Sequence, residues 1–288
     1  MKKILSVLIS TAVLFSTAAL GGCQKAEEKT EGKKPIIAVS IVPEATFAEA
    51  VCGELAEIIT MIPPGSSPEN YEPSPAEMEK FSKAKLFFSI GVPTEEANIL
   101  PNVGDVKIVK LQEKVAAVYS DLTFEEGGRD PHIWLSPKRA KVMVQAIADE
   151  MSTLDPENKD TYQKNAAAYI AQLDTADKDI VKALENIENK GFVVYHPAFG
   201  YFADDYGLTM VALEEEGKEA TPEHLQEVID YAKEQKIKVI FYQAEIDSSQ
   251  SEAFAEELGG KTVQLEPLSA DYIENLKKIA KAFAEVNS

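Results

Sequence analysis

Along most of the chain, short runs rich in valine and isoleucine alternate with stretches in which apolar residues recur three and four positions apart. The runs at 36–41, 58–62, 86–89, 106–109, 192–195, 209–213, 239–242 and 262–265 predict strands. Helical spacing covers 74–83, 137–152, 221–235, 249–258 and 271–286. Parallel strands need a crossover element between them, so this alternation predicts an α/β fold with mainly parallel sheets. The alternation breaks once. Between Asp155 and Lys190 the apolar positions Tyr162, Ala166, Tyr169, Leu173, Ala176, Ile180, Leu184 and Ile187 step by three and four. They predict one long, rigid helix over 155–190, with Asp155 as its cap and Pro156 at its first position. At ~1.5 Å per residue it would reach about 45–50 Å. Two α/β lobes, 35–154 and 191–288, joined by that helix are the predicted organisation.

The start of the chain follows a different pattern. Lys2 and Lys3 precede an uncharged apolar run from Ile4 to Leu20, which closes as Leu20-Gly21-Gly22-Cys23. This is the layout of a secretory leader, and its end resembles the bacterial lipobox, in which the cysteine is lipidated and becomes the mature N-terminus. Residues 1–22 are therefore predicted to be a lipoprotein signal peptide. Residues 23–34 are predicted to be the lipidated Cys23 and a tether, because the charged segment Gln24 to Lys34 has nothing large to bury. With Cys23 committed to lipid, Cys52 in its apolar setting reads as a buried thiol rather than half of a disulfide.

Composition narrows the partners. Of 288 residues, 48 are acidic and 29 basic, for a formal charge of −19, and the only arginines are Arg129 and Arg139. Such a surface repels phosphate backbones and lacks their usual bidentate reader, so nucleic acid is not an expected partner. The glycine-rich phosphate loops and the G-x-S-x-G, H-E-x-x-H and C-x-x-C patterns do not occur.

Three histidines remain. His132 lies in a loop before a predicted helix, His196 directly follows the predicted strand at 192–195, and His224 falls in the first turn of a helix, where it reads as a solvated surface residue. Strand ends are where ligands bind in open α/β sheets. Glu266 follows another strand, and Glu69 sits in the loop after the strand at 58–62. Two imidazoles and one or two carboxylates would make a nitrogen/oxygen metal site if the fold brought them together.

Four segments carry a family resemblance: Pro-Gly-x-x-Pro-x-x-Tyr-Glu-Pro at 64–73, Asp-Pro-His-x-Trp-Leu-Ser-Pro at 130–137, Tyr-His-Pro-Ala-Phe-Gly-Tyr-Phe at 195–202 and Leu-Glu-Pro-Leu at 265–268. In order and spacing they resemble the substrate-binding lipoproteins of zinc and manganese ABC importers, the cluster A-I proteins of TroA-like fold. The resemblance implies two lobes joined by a long helix, with one transition metal in the cleft between them. It implies His132, His196 and Glu266 as ligands. Where the family usually has a first histidine ligand, this chain has Glu69, which would either ligate as a carboxylate or face solvent and leave a three-ligand site closed by water. The long histidine-rich insertion of many zinc members is missing before His132, where the chain has only 121–129. Gln243, Glu245 and Asp247 offer further oxygens, expected behind the site or on the surface.

The function so implied is capture of a divalent metal outside the cytoplasm and its delivery to an ABC permease, with no chemistry performed. Zn²⁺ is the expected cargo and Mn²⁺ or Fe²⁺ the alternative, since Zn²⁺ stands above both in intrinsic affinity. The protein is expected to be a monomer, lipid-anchored to the outer face of the bacterial cytoplasmic membrane, in the periplasm or at the cell surface. The competing functions are a metal-dependent hydrolase, with Glu69 or Glu245 as base, and a surface adhesin. Because protons compete with metal for imidazole, affinity should fall with pH.

Overall fold

The computed structural model describes residues 34–124, 127–214, 220–245 and 249–286. The predicted leader, residues 23–33 of the predicted tether with Cys23, and Asp247 lie outside the described residues. All eight predicted strands are present, within one or two residues of their expected ends. β1 (Ile36–Val39), β2 (Glu57–Thr60), β3 (Leu86–Ser89) and β4 (Lys107–Lys110) form a parallel sheet in the order β2-β1-β3-β4. β5 (Gly191–Val194), β6 (Thr209–Ala212), β7 (Val239–Gln243) and β8 (Lys261–Leu265) form a second, in the equivalent order β6-β5-β7-β8. Every residue of β1, β3 and β5 is buried, which is why these strands read as unbroken apolar runs. In each sheet the direction of strand addition reverses beside the first strand, at β1/β3 and at β5/β7. A crevice opens beyond the carboxyl ends of strands at such a point.

The helices are α1 (Val42–Cys52), α2 (Pro75–Phe81), α3 (Leu111–Ala116), α4 (Pro137–Leu154), α5 (Lys159–Leu184), α6 (Gly200–Tyr206), α7 (Pro222–Glu234), α8 (Ser249–Glu257) and α9 (Tyr272–Val286). The long helix starts where its cap predicts: Asp155 precedes Pro156–Asn158, a 3₁₀ turn that runs directly into α5, and its carboxylate accepts bonds from the Asn158 amide at 2.7 Å and the Tyr162 hydroxyl at 2.8 Å. At its other end the helix stops at Leu184, short of the predicted 190. The 26 residues of α5 then span about 39 Å. Its buried face is Tyr162, Ala166, Leu173, Ala176, Ile180 and Leu184, as the spacing predicts. That face packs on α1 and α4 of the first lobe and on α9 of the second.

The pattern of apolar residues does not reveal α1. Pro43, Glu44, Ala45, Phe47, Ala48, Val51 and Cys52 are all buried, since α1 lies between its sheet and α4 and α5. A helix covered nearly all round shows no polar stripe to set its period.

One apolar core runs through both lobes and includes Phe47, Trp134, Tyr162, Leu173, Tyr272 and Phe283. In the second lobe the Phe283 ring packs on those of Phe192, Phe199, Phe202 and Phe241. Polar ties reinforce the junction. The Trp134 indole donates to the Pro267 carbonyl at 3.0 Å, and the Tyr272 hydroxyl donates to the Trp134 carbonyl at 2.5 Å. Arg139 of α4, stacked on Tyr201, pairs with Asp205 of α6 at 2.9 Å.

Candidate metal centre

Each of three side chains is held by its local structure. His196 lies two residues beyond β5. The parallel register pairs Val194 with Ala212, so two residues further on Glu214 stands beside His196, with its backbone N–H bonded to the Tyr195 carbonyl at 2.9 Å. The Glu214 carboxylate accepts from His196 Nδ1 at 2.9 Å. His132 precedes a 3₁₀ turn, Ile133–Leu135, and Ser136, which caps α4 by accepting from the Arg139 backbone N–H at 3.1 Å. Asp130 is buried, and its Oδ1 accepts both the backbone N–H and Nδ1–H of His132, each at 2.8 Å. Its other oxygen lies against α6, where a Cβ on Gly200 would come within 2.6 Å of it. Only glycine leaves room for Asp130 there.

Glu69 arrives from the loop after β2. Pro63 to Ser66 make a tight turn, with Gly65 at φ 83°, a value that favours glycine, and the Ser66 N–H bonded to the Pro63 carbonyl at 3.1 Å. Beyond the turn, the Pro68 carbonyl accepts from the Thr94 N–H at 3.0 Å, and the Thr94 hydroxyl accepts from the Tyr71 N–H at 3.0 Å. Glu69 is thereby pinned between two anchored neighbours.

These elements bring Glu69, His132 and His196 together, with one ligand atom from each inside a cluster no wider than 4.8 Å. The two Nε2 atoms are 3.3 Å apart, and Glu69 Oε1 is 3.7 Å from His196 Nε2. Both imidazoles are buried. In the neutral form, with Nδ1–H given to a carboxylate, each ring presents a lone pair at Nε2, and neither then donates to the other. Two facing lone pairs repel unless a cation lies between them. Two nitrogens ~2.0–2.1 Å from a tetrahedral Zn²⁺ stand ~3.3–3.4 Å apart, so the rings are already at a coordination spacing.

The other expected residues lie elsewhere. Glu266 is exposed and is not in the cluster; the Asn275 amide holds its backbone carbonyl at 2.7 Å. Glu245 is partly buried, and one of its oxygens is shielded without a hydrogen-bond partner. Burial, and then the nearby Glu266, hold its carboxyl above the usual carboxylate range. His224 is not a solvated surface residue: it is half-buried, and its Nε2 bonds the Ala212 carbonyl at 3.0 Å, because the first turn of α7 packs over the end of β6. The roles of Asp130 and Glu214 escape sequence reasoning. Asp130 stands within the Asp-Pro-His segment, but Glu214 becomes adjacent to His196 only through strand register.

A family model described as ZnuA, zinc-uptake complex component A periplasmic, matches residues 37–286. The chain belongs to this family. Among ZnuA-family relatives, the zinc-binding lipoprotein AdcA of Streptococcus pneumoniae is 31% identical over 317 residues, covering 99% of this chain and 61% of that protein. The chain thus spans less than two thirds of that relative's length. The manganese ABC transporter substrate-binding lipoprotein PsaA of Streptococcus pneumoniae is 30% identical over 264 residues, covering 86% of this chain and 84% of that one. A crystal structure of ZnuA matches with a TM-score of 0.82 at 34% identity, over 88% of this chain and all of that one. Two parallel-sheet lobes and a long helix are thus the architecture of this chain as they are of its structural neighbours.

Proposed function

We propose that the chain is the substrate-binding component of an ABC importer, capturing one divalent transition metal, Zn²⁺ in preference to Mn²⁺ or Fe²⁺, on Glu69, His132 and His196. The observation that carries this reading is the pair of buried Nε2 atoms 3.3 Å apart, each ring oriented by its own carboxylate. Metal-bound histidines are held this way: the carboxylate fixes the tautomer and raises the basicity of the ligating nitrogen. Glu266, the remaining expected ligand, stands outside the cluster and is not counted in this donor set. Delivery to a membrane permease follows from membership of the family, as does a position outside the cytoplasm. No helix of the described residues is long and apolar enough to cross a membrane. Attachment through a lipid on Cys23 would then keep this monomer at the outer face of the cytoplasmic membrane.

Catalysis has little to work with here. Among the described residues lining the cavity beside the donors, Glu69 is the only carboxylate, and as a ligand it cannot also serve as the base that hydrolysis requires. Elemental analysis of the purified mature protein, with competitive Zn²⁺ and Mn²⁺ titrations, tests the reading. One equivalent of Zn²⁺, displaced only by a large excess of Mn²⁺, is the expected result. Absence of stoichiometric binding of either metal would overturn the proposal.

A further inference from the structure

His132 and His196 each have a carboxylate at Nδ1 to aim the ring, whereas Glu69 reaches the cluster on a long side chain that is 25% exposed. Glutamate has much rotamer freedom to lose, so the aim of this carboxylate depends on how firmly its backbone is placed. The Glu69 N–H bonds the Ser67 hydroxyl at 3.3 Å, inside the same loop, which does not fix the loop to the lobe. The segment after β3 does. Glu95–Ile99 form one π-helical turn preceded by Thr94, a rare conformation that recurs at functional sites. The buried Thr94 accepts the Tyr71 N–H on its hydroxyl at 3.0 Å, and one turn on, the Asn98 amide donates to the Tyr71 carbonyl at 2.8 Å. Thr94 also donates its own N–H to the Pro68 carbonyl at 3.0 Å. Three hydrogen bonds therefore close on the loop, one just before Glu69 and two just after it.

The turn is itself anchored at the ends of the first sheet. Glu95 is buried, and its carboxylate accepts the N–H groups of Ile90 at 2.8 Å and Gly91 at 2.9 Å, just beyond β3, and the hydroxyl of Ser40, just beyond β1. Gly91 and Pro93 of the same segment line the cavity beside the donors. The crevice at the β1/β3 reversal thus holds the part that carries the Glu69 loop. We propose that Thr94 and Asn98 are positioning residues for metal capture: they clamp the backbone on both sides of Glu69 and so keep its carboxylate at the metal held by His132 and His196. This inference rests on the capture reading above. A clamp that only stabilised the lobe would act alike whatever stood at position 69. One that acts through Glu69 loses its effect on affinity once that carboxylate is gone.

A double-mutant cycle against Glu69→Ala tests it, with the Zn²⁺ affinity of the mature protein read by competition with a chromophoric chelator. Thr94→Val, which swaps the hydroxyl for a methyl, and Asn98→Ala, which removes the amide, should each weaken Zn²⁺ binding about tenfold, the lower end of what partners that orient metal ligands contribute. Thr94→Ser keeps the hydroxyl and should bind as wild type does. In the Glu69→Ala background Thr94→Val and Asn98→Ala should each change affinity by less than about twofold, because no carboxylate is left to place. Melting temperatures of the metal-free proteins show which variants fold; if Thr94→Val does not, Asn98→Ala, at a half-buried position, decides alone. Losses of equal size with and without Glu69 would overturn the inference and leave metal capture standing. Folded Thr94→Val and Asn98→Ala proteins with wild-type affinity would do the same. Undiminished affinity in Glu69→Ala would remove Glu69 from the donors and the clamp's role with it. Failure of the wild type to bind Zn²⁺ at all would overturn the capture reading and the inference together.

Discussion

Asp130 never touches the metal in the proposed site, yet it should govern affinity. Its Oδ1 accepts two N–H groups of His132 at 2.8 Å in a buried setting, so it fixes both the backbone and the ring of one ligand. Asp130→Asn keeps an oxygen able to accept both bonds but removes the negative charge. The His132 tautomer survives, while the ring loses basicity at Nε2. Asp130→Ala removes both bonds, leaving two buried N–H groups unpaired and the ring free to turn. Partners that orient metal ligands are worth ~10–100-fold in affinity, or about 1.4–2.8 kcal/mol. The asparagine variant should fall near the lower end and the alanine variant near the upper. Competition for Zn²⁺ against a chromophoric chelator reads the dissociation constant, and the melting temperature of each metal-free variant shows whether it still folds. A folded Asp130→Ala protein with Zn²⁺ affinity within about twofold of wild type would refute the role of this carboxylate.

His196→Ala should cost at least about tenfold in Zn²⁺ affinity by titration calorimetry, whereas His224→Ala, which removes a bond to the Ala212 carbonyl, should leave affinity unchanged; equal effects would mean the ligand assignment is wrong. Glu69→His supplies a third imidazole and should widen the preference for Zn²⁺ over Mn²⁺ by about tenfold or more in paired titrations, since softer donors favour the later metal; a ratio that stays put would place Glu69 outside the donor set. Burial, and then the neighbouring Glu95, hold the Glu44 carboxyl well above its ordinary value, so the folded protein takes up a proton there more readily than the unfolded chain. The stability from that proton is complete below the unfolded value near 4.5 and is lost as pH rises through the folded one. From about pH 8 down to about pH 5 the wild type should therefore gain in melting temperature relative to Glu44→Gln, and a constant difference between the two would contradict the buried-acid assignment.

Much of this architecture is legible because its strands are buried and parallel. β1, β3 and β5 have no polar face, so each is an apolar run that the sequence displays directly. The register of α5 is equally plain, because its covered face and its solvent face differ in polarity at every turn. Its far end is not: Ile187 continues the 3–4 spacing beyond Leu184, where α5 stops. α1 fails for the opposite reason, having almost no exposed face. In the site, His132 and His196 stand out because histidine is scarce and both lie in segments that end at the cleft. Glu214 does not stand out, since its contact with His196 depends on which strand neighbours β5. The strand order sets β6 on one side of β5 and β7 on the other, and only that order brings Glu214, eighteen residues further along, to Nδ1.

The choice between zinc and manganese turns on donors rather than on overall likeness. At 31% and 30% identity, AdcA and PsaA are equally near, so similarity does not separate their metals. The 3.3 Å between the two Nε2 atoms does bear on geometry. Adjacent corners of a tetrahedron with bonds of ~2.0–2.1 Å are ~3.3–3.4 Å apart, the separation at which the two rings stand. Right-angled coordination at those bond lengths would bring the rings closer, and the longer bonds of the larger Mn²⁺ ion offset part of that approach. Their Nδ1 atoms are tied to Asp130 and Glu214 in different lobes, and the lobes share one core with the Trp134, Tyr272 and Arg139 ties across it. Moving the rings together would therefore strain bonds on both sides of the cleft. As a ligand in the proposed donor set, Glu69 would harden the site in a direction that favours Mn²⁺, but one oxygen would act against two nitrogens, and the intrinsic order of affinity already places Zn²⁺ above Mn²⁺. On that proposal a carboxylate at position 69 would narrow the preference for zinc without reversing it.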